Sequence, residues 1–246
     1  MINDSKTEFM LIGTKAQLQK TKSATLIIGE SIISPSTEPL RNFEAWFDYH
    51  FNLNFNITKT CRRAFFHLHN IRRVRKYLSI ESAEKLVHVF ITSRSDYCNS
   101  LLYGLPHCAL IKLQRVQNAA ARVLYLAPRY RHMTPILYEL QWLPVTFRME
   151  FKIIIITRKA IHGTAPNYLS YLVNFKPNVS HSLRSNNKYL LSNPNFRTLP
   201  TLGDRAFVAA LWNNLPLDLR CTSDFEVFKR NLKIHLFTKA FSDKML

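Results

Sequence analysis

The sequence is poor in the residues that support several common chemistries. Its four cysteines, Cys61, Cys98, Cys108 and Cys221, form no C-x-x-C pair, so the usual signature of a zinc ribbon or a thioredoxin-like redox site is missing. Only 5 glycines occur in 246 residues, and there is no glycine-rich phosphate loop, H-E-x-x-H or G-x-S-x-G motif. We therefore expect no resident cofactor and no metal site in this chain.

Acidic residues are scarce and dispersed. The 16 Asp and Glu residues never stand next to each other, whereas a two-metal polymerase or nuclease needs carboxylates that share cations about 4 Å apart. Most of the aspartates are better explained as helix caps or surface partners. The nearest pair of histidines, His67 and His69, is two residues apart, which separates the side chains on a helix. The residues themselves therefore favour a role without catalysis.

Long apolar runs are missing as well. The longest aliphatic run, Ile153 to Ile156, lies between Lys152 and Arg158 and is far shorter than the roughly 20 residues that span a bilayer. The first residues lack the basic start, apolar run and small-residue cleavage site of a secretory signal. We expect an intracellular protein of the nucleus or cytoplasm that is neither secreted nor bound to a membrane.

Positive charge is what the sequence has in excess. Its 34 Lys and Arg give a formal net charge of +18, and residues 1–50 contribute a net −1 to this total while residues 51–246 contribute +19. An excess this uneven favours a polyanionic partner for the later part of the chain, because each Lys or Arg placed on a phosphate releases condensed counterions. A merely solvated basic surface is the alternative reading of the same charge.

The first fifty residues favour β-structure. KTEFMLIGT, SATLIIG and SIIS are rich in β-branched and aromatic residues, and LRNFEAWFDYH follows a turn at Pro35. We expect two or three antiparallel strands here. Because a strand-forming segment begins so close to Met1, and because strands need sheet partners, we also expect further sheet upstream of this chain.

The hydrophobic pattern becomes helical from about Asn54. An apolar stripe repeats every three or four residues: Ile57, Cys61, Ala64, Phe65, Leu68 and Ile71. At about 100° per residue, basic side chains project to roughly the opposite side. These are Lys59, Arg62, Arg63, Arg73 and Lys76. One face of the first long helix is therefore predicted to pack and the other to be basic.

Three more long helices are predicted downstream. One begins after Ser79, which can cap it, and runs to about Tyr97. The next runs from about His107 to Leu126 and should bury Leu110, Leu113, Val116, Ala120 and Val123 while exposing Lys112, Arg115, Gln117 and Arg122. The last runs from Val145 to His162 and ends at Gly163.

The remaining segments are less regular. Pro128 and Pro135 bracket a loop, and residues 174–203, rich in Asn, Pro and Ser, predict an irregular linker. Beyond it, Asp204 can cap a helix that reaches Trp212 and ends at Pro216. Thr222 or Ser223 can cap a last amphipathic helix that carries Phe225, Phe228, Leu232 and Leu236. Trp142, Trp212 and Tyr97 could stack on bases, but each lies in an apolar pattern where core packing is the commoner role.

Several phrases resemble the C-terminal part of reverse transcriptases from LINE-type, jockey-like non-LTR retrotransposons. They are NDSKTEFMLIGT, LRNFEAWFD, HNIRRVRKYLS, FITSRSDYCNSLLYGLP, KLQRVQNAAARVL, LQWLPVTFR, KAIHGTAPNYL, GDRAF and LWNNLPLDLR. Together they extend over almost the whole chain from Asn3. The resemblance implies a remnant of the polymerase palm over residues 1–51, a helical thumb over 52–127, and a helical C-terminal extension over 128–246.

The resemblance also assigns roles by position. Lys6 matches a palm lysine that assists nucleotide addition, and LRNFEAWFD matches the strand that presents the primer end. The paired aspartates that should precede Asn3 are outside the chain, and with them the Mg²⁺ that a complete polymerase would bind. In the primer-presenting strand the family has Leu-Gly-Val where this chain has Phe43-Glu44-Ala45, which adds a negative charge near the expected primer phosphate.

The sequence therefore predicts a mainly α chain with a short antiparallel β remnant at its start. We expect non-specific binding to duplex nucleic acid or an RNA/DNA hybrid, through phosphate contacts that position without reading sequence. The candidate binding residues are Arg62, Arg63, Arg73, Lys76, Arg115 and Arg122. An alternative is a protein-interaction module that packs an exposed apolar surface against a full-length reverse transcriptase or a second copy of the chain.

Overall fold

The computed structural model describes residues 6–21, 24–29, 31–171, 173–175, 189–192 and 208–242, and within them the fold is mainly helical. Four strands occupy the start of the chain: β1 Leu26–Ile28, β2 Ser31–Ile33, β3 Leu40–Asn42 and β4 Ala45–Phe47. The helices are α1 Lys15–Lys20, α2 Asn54–Val74, α3 Ile80–Val87, α4 Ser93–Asp96, α5 His107–Leu124, α6 Thr134–Glu139, α7 Val145–Ile161, α8 Asn167–Ser170, α9 Val208–Asn213, α10 Leu217–Cys221 and α11 Phe225–Phe241.

The β-structure consists of two separate hairpins. Strand β1 pairs antiparallel with β2, and β3 pairs antiparallel with β4. The strand predicted over KTEFMLIGT is wrong: residues 7–14 are irregular and α1 follows them, capped by the Thr14 side chain. The β-branched and aromatic residues of this segment find no strand to pair with in the described chain, and tertiary context decides β-structure more than propensity does.

Helix α2 begins at Asn54, as the change of hydrophobic period predicts. Its start is held by Asp48, a buried carboxylate that accepts three backbone N–H groups. His50 and Asn52 donate to its Oδ1 at 3.2 and 3.0 Å, and Leu53 donates to Oδ2 at 2.8 Å. Negative charge at a helix start also complements the positive end of the helix dipole. Asp48 therefore has a structural role, as predicted for most of the aspartates.

The helix after Ser79 changes type along its length. Ser79 accepts a hydrogen bond from the Ser82 N–H, as predicted for its cap. Helix α3 then passes into a π-helical segment, His88–Thr92, before α4 completes the rod at Asp96. A π-helix uses i→i+5 hydrogen bonds and so contains one more residue per turn than an α-helix, which changes the direction of every later side chain.

Helices α2 and α5 pack side by side and run in the same direction. Ile57, near the start of α2, shares a cluster with Leu110 and Leu113, while Leu68 joins a second cluster with Leu124. The expected exposure of Gln117 is wrong: it is buried and donates to the Leu143 carbonyl at 2.8 Å. A buried amide is stable when a carbonyl accepts its hydrogen bond, and position on a helical wheel does not reveal such a partner.

The C-terminal ends of α2 and α5 are joined by one buried arginine. Arg75 follows α2 directly and donates from Nε and Nη2 to the Leu124 carbonyl, at 3.0 and 2.6 Å, and from Nη1 to Leu78 at 2.8 Å. The last carbonyls of a helix lack intrahelical partners and carry partial negative charge. One guanidinium therefore satisfies the Leu124 carbonyl at the end of α5 and the Leu78 carbonyl in the segment that follows α2.

The later helices enclose a second core. Helix α7 ends before Gly163, which adopts φ +68° as expected of a helix stop. Trp212 is buried against Phe228, so its core role is confirmed. The cap of α11 was predicted wrongly: the side chain of Asp224, not Thr222 or Ser223, accepts the Val227 N–H at 2.7 Å.

Arg158 is the most deeply buried cation among the described residues, at 1% exposure. It donates to the carbonyls of Ser223 and Asp224 at 2.7 and 3.2 Å and lies over the Phe228 ring at 4.3 Å. Burial lowers the pKa of this guanidinium, and Asp224 opposes the shift. Helix α7 and the start of α11 are therefore tied together through a charged side chain.

The proposed domain division crosses shared cores. Residues from α2, α5, α6 and α11 contribute to one cluster that includes Ile71, Ala120, Ile136 and Phe241, so side chains on both sides of residue 128 pack together. The predicted cap Asp204 and most of the predicted linker at 174–203 lie outside the described residues. In the described part of the linker, Phe175 and Leu191 form an isolated antiparallel bridge.

The β1–β2 hairpin should open more readily than the helices. In β1 and β2 no residue is fully buried, and a two-stranded hairpin without a covering layer is marginal in water. Hydrogen exchange followed by mass spectrometry should show faster exchange for residues 26–33 than for residues 57–74, whose stripe is buried. Equal, strong protection of both segments would contradict this expectation.

Candidate nucleic-acid interface

The solvent-facing side of α2 carries the basic residues predicted from the helical period. Arg62, Arg63 and Arg73 are exposed on α2, and Lys76 is exposed in the 3-10 turn Arg75–Tyr77 that follows it. The buried residues of the helix lie on its other side: Ile57, Ala64, Leu68 and Ile71. The predicted burial of Phe65 is wrong: it is 46% exposed, because at about 100° per residue it lies at the edge of the stripe. In the described part of the chain, no carboxylate forms an ion pair with Arg62, Arg73 or Lys76. These cations are therefore available to an external anion.

A cleft of about 620 Å³ lies beside this face, where the β3–β4 hairpin meets α2 and α4. We call it the hairpin cleft, and it is lined by Arg41, Glu44, Trp46, Lys59, Thr60, Arg63, His67, Ser93, Arg94 and Tyr97. It contains four Lys or Arg side chains and one carboxylate. Arg63 and Lys59 are predictable from the helical period of α2. Arg41 and Arg94 come from β3 and α4, and the sequence pattern does not predict that they join this cleft.

Glu44 occupies the cationic side of the hairpin cleft. Its carboxylate pairs with Arg41 and, at 3.1 Å, with Arg63. Phe43 and Glu44 form the two-residue turn of the hairpin with φ of +45° and +75°. Such a turn favours Asn-Gly, and an L side chain in the left-handed region costs about 1–2 kcal/mol. The chain therefore places a strained glutamate where its charge cancels part of the cleft's positive field.

His67 extends the lining of the hairpin cleft toward α4. Burial lowers the pKa of His67, and the positive charge of Arg94 lowers it further. The imidazole stacks on Phe90 at 5.1 Å between ring centroids, and the lowered pKa favours its neutral form. The fixed positive charges of the cleft are thus Arg41, Lys59, Arg63 and Arg94.

The other predicted site residues lie in different surroundings. Arg115 is exposed on α5, and Lys6 is exposed at the start of the described chain. Arg122 is half-buried and donates to the carbonyls of Pro128, Arg129 and Arg131 at 3.3 to 3.5 Å. Arg122 therefore orders the loop after α5, and its guanidinium is only partly free for a phosphate.

A second cationic surface follows the end of α5. Two adjoining hollows of about 540 and 410 Å³ share Arg122 and Arg129 in their linings. We call them together the loop groove. Its other charged or titratable residues are His69, Arg72, Arg131 and His132, and no Asp or Glu occurs among the described residues that line it. The sequence signal for this groove is the run Arg129-Tyr130-Arg131-His132 within the loop bracketed by prolines.

The structure offers no metal site or membrane span in its described parts. No group of three or more His, Cys, Asp or Glu side chains comes together there to hold a metal ion. None of the described helices combines the length and apolar character needed to cross a bilayer. Asp96 pairs with Arg148; burial raises the pKa of its carboxyl, and the Arg148 charge opposes that effect.

Comparisons with known proteins return no relative: no protein-family model, no curated protein and no solved structure matches this chain.

Removing the Glu44 charge should strengthen anion binding by the hairpin cleft. We expect Glu44→Gln to raise the affinity for a 20-base-pair DNA duplex about two- to thirtyfold, because exposed ion pairs contribute roughly 0.2–1 kcal/mol each and two would be released. Fluorescence anisotropy at 0.1 M salt measures the change. The matched control is Glu81→Gln, which adds the same net charge at an exposed residue outside the cleft. Equal effects of the two variants would contradict a specific role for Glu44.

Proposed function

We propose that this chain binds duplex nucleic acid or an RNA/DNA hybrid without sequence preference, and that it derives from the palm end, thumb and C-terminal extension of a non-LTR retrotransposon reverse transcriptase. Phosphates bind the exposed cations of α2, with further contacts to Arg115. Arg122 contributes through the loop that it orders. Binding of this kind depends on charge and therefore on salt.

The observation that carries the proposal is the division of α2 into two faces. Four residues of the apolar stripe, Ile57, Ala64, Leu68 and Ile71, are buried in the core. Arg62, Arg73 and Lys76 lie away from them and remain exposed. Arg62 and Arg73 are 11 residues apart on one side of this helix, which is about 16 Å at about 1.5 Å per residue, so they can reach different phosphates of one duplex. Arg63 contributes a fourth contact when its pairing with Glu44 is displaced.

The hairpin turn supports the proposed descent. The family pattern has glycine at the position of Glu44, and this position adopts φ +75° here, where glycine is the residue without steric penalty. A requirement for glycine at that turn thus agrees with the backbone of this chain. If the chain descends from a polymerase, α2 belongs to the thumb, and its basic face corresponds to the side of the thumb that contacts nucleic acid.

A protein-interaction module is the second candidate, and exposed apolar residues near the hairpins favour it. Ile27 and Ile32 are cross-strand partners that are 68% and 71% exposed, and Phe43 is 83% exposed. Apolar side chains this exposed mark contact surfaces when they are contiguous. In this reading they pack against a full-length reverse transcriptase or a second copy of the chain.

The salt dependence of binding tests the proposed function. Replacing Arg62, Arg63, Arg73 and Lys76 with Gln should reduce the slope of log K against log salt by about 3 to 4, since each phosphate contact on B-form DNA contributes roughly 0.9. Filter binding between 50 and 300 mM salt gives the slope, and circular dichroism verifies the fold. Affinity should fall alike for unrelated sequences.

A control variant separates this face from net charge. Lys85, Lys152, Arg230 and Lys233 are exposed cations outside α2 and α5, and their replacement with Gln removes the same four charges. The slope should change by less than about 1 for this control, because nearby charges that do not contact phosphate release few counterions. An unchanged slope in the α2 variant would remove that helix from the interface and favour the protein-interaction candidate.

The chain should not polymerise nucleotides by itself. No two of its carboxylates are adjacent in sequence, and two-metal phosphoryl transfer needs clustered carboxylates. We expect no extension of a DNA primer on an RNA template with Mg²⁺ or Mn²⁺ present, measured on a sequencing gel. Template-dependent incorporation above a reaction without protein would overturn this expectation.

A further inference from the structure

Tyr130 presents one of the most exposed aromatic rings of the described chain, at 87% exposure. It lies in the loop between α5 and α6, flanked by Arg129, Arg131 and His132, all of which are exposed. Within the described residues its ring forms no aromatic pair and lies beneath no cation. An aromatic ring this open to solvent, with a cation on each side, has its faces free for a planar ligand.

The loop is ordered from its inner side. Arg122, in the last turn of α5, donates to the carbonyls of Pro128, Arg129 and Arg131, and the Arg131 N–H donates to the Pro128 carbonyl at 3.2 Å. Because the loop carbonyls point toward Arg122, the side chains of residues 129–132 point toward solvent. The exposed ring is therefore held by its backbone before any ligand arrives, which limits the entropy lost on binding.

The loop groove supplies an unopposed positive field beside this ring. Arg72, Arg122, Arg129 and Arg131 line it, with no carboxylate among its described lining residues. The hairpin cleft, in contrast, contains Glu44. Glu139 is not among the lining residues and forms a hydrogen bond with Tyr125. The described lining of the loop groove therefore presents positive charge, and no carboxylate, to a strand of phosphates.

We propose that the loop groove binds a single strand of nucleic acid, with an unpaired base stacked on Tyr130 and the flanking phosphates on Arg129 and Arg131. This proposal rests on the proposed function and adds a second site to it, distinct from the duplex-binding face of α2. A positively charged groove with an aromatic ring that accepts a base face is the general arrangement for binding single strands without sequence preference.

The chemistry of the ring selects an unpaired base over a duplex. Bases inside a duplex are stacked on both faces, so an exposed tyrosine can reach only their phosphates and sugars. A single-stranded end or overhang offers a free face. The chain would then hold a duplex on α2 and the adjoining unpaired strand on the loop groove.

The experiment compares three labelled DNA ligands that differ in what Tyr130 can contact. They are a 12-nucleotide single strand, an abasic strand of the same length, and a blunt duplex, each measured by fluorescence anisotropy at fixed salt. Tyr130→Ala should weaken binding of the single strand about tenfold, the low end of what one stacked base contributes. It should leave the abasic strand and the duplex unchanged. Tyr130→Phe should bind like the original chain, because the ring face is retained.

Two further variants complete the test. Tyr171→Ala removes another exposed tyrosine, at 79% exposure on a different element, and should leave all three affinities unchanged. Arg129→Gln combined with Arg131→Gln should weaken binding of both the ordinary and the abasic strand, because both strands carry the same phosphate backbone.

The outcomes distinguish this proposal from the function on which it rests. Unchanged single-strand affinity in Tyr130→Ala, or an equal loss on the abasic strand, would overturn the stacking site while duplex binding by α2 stands. Failure of the original chain to bind any of the three ligands would overturn both. A loss in Tyr130→Ala that is confined to the base-containing strand, together with unchanged binding by Tyr130→Phe, supports the proposal.

Discussion

Two parallel helices meet at their negative ends in this chain, and the guanidinium of Arg75 lies between them. The C-terminal ends of α2 and α5 each carry a partial charge of about −0.5, so side-by-side packing in the same direction brings like charges together. Arg75 follows α2 directly and donates two hydrogen bonds to Leu124 at the end of α5, so its positive charge lies close to both helix ends. This guanidinium links the two helices at the point where the loop after α5 begins.

The high net charge of the chain divides into cations that build the fold and cations that face solvent. Arg75, Arg122, Arg158 and Arg220 donate to backbone carbonyls at the ends of helices and in loops. These four stabilise the structure whatever the partner. The positive charge that can attract a polyanion is consequently smaller than the formal charge indicates, and one side of α2 and the loop groove each present part of it. Because the hairpin cleft contains the carboxylate of Glu44, its positive field is weaker than that of the loop groove.

The features predictable from the sequence are those that depend on neighbours along the chain. The start of α2 and its two faces follow from spacing at three or four residues, and the Ser79 cap and the stop at Gly163 follow from local chemistry. The features that were missed depend on partners far away in sequence. Gln117 is buried because the Leu143 carbonyl accepts its amide 26 residues later. Arg94 joins Arg63 in one cleft only through the packing of α4 on α2, and KTEFMLIGT has strand propensity without a neighbouring strand.

The π-helical segment at His88–Thr92 determines where Arg94 lies. At about 100° per residue, an uninterrupted α-helix would point Arg94 within about 20° of Ala83 and Val87, which are both completely buried. A charged side chain would then enter the core. One extra residue in a π turn delays everything after it by about 100°, and this delay carries Arg94 around the rod into the hairpin cleft. The side chains of α4 are therefore rotated about the helix relative to those of α3. Arg94 faces the hairpin cleft because of this rotation.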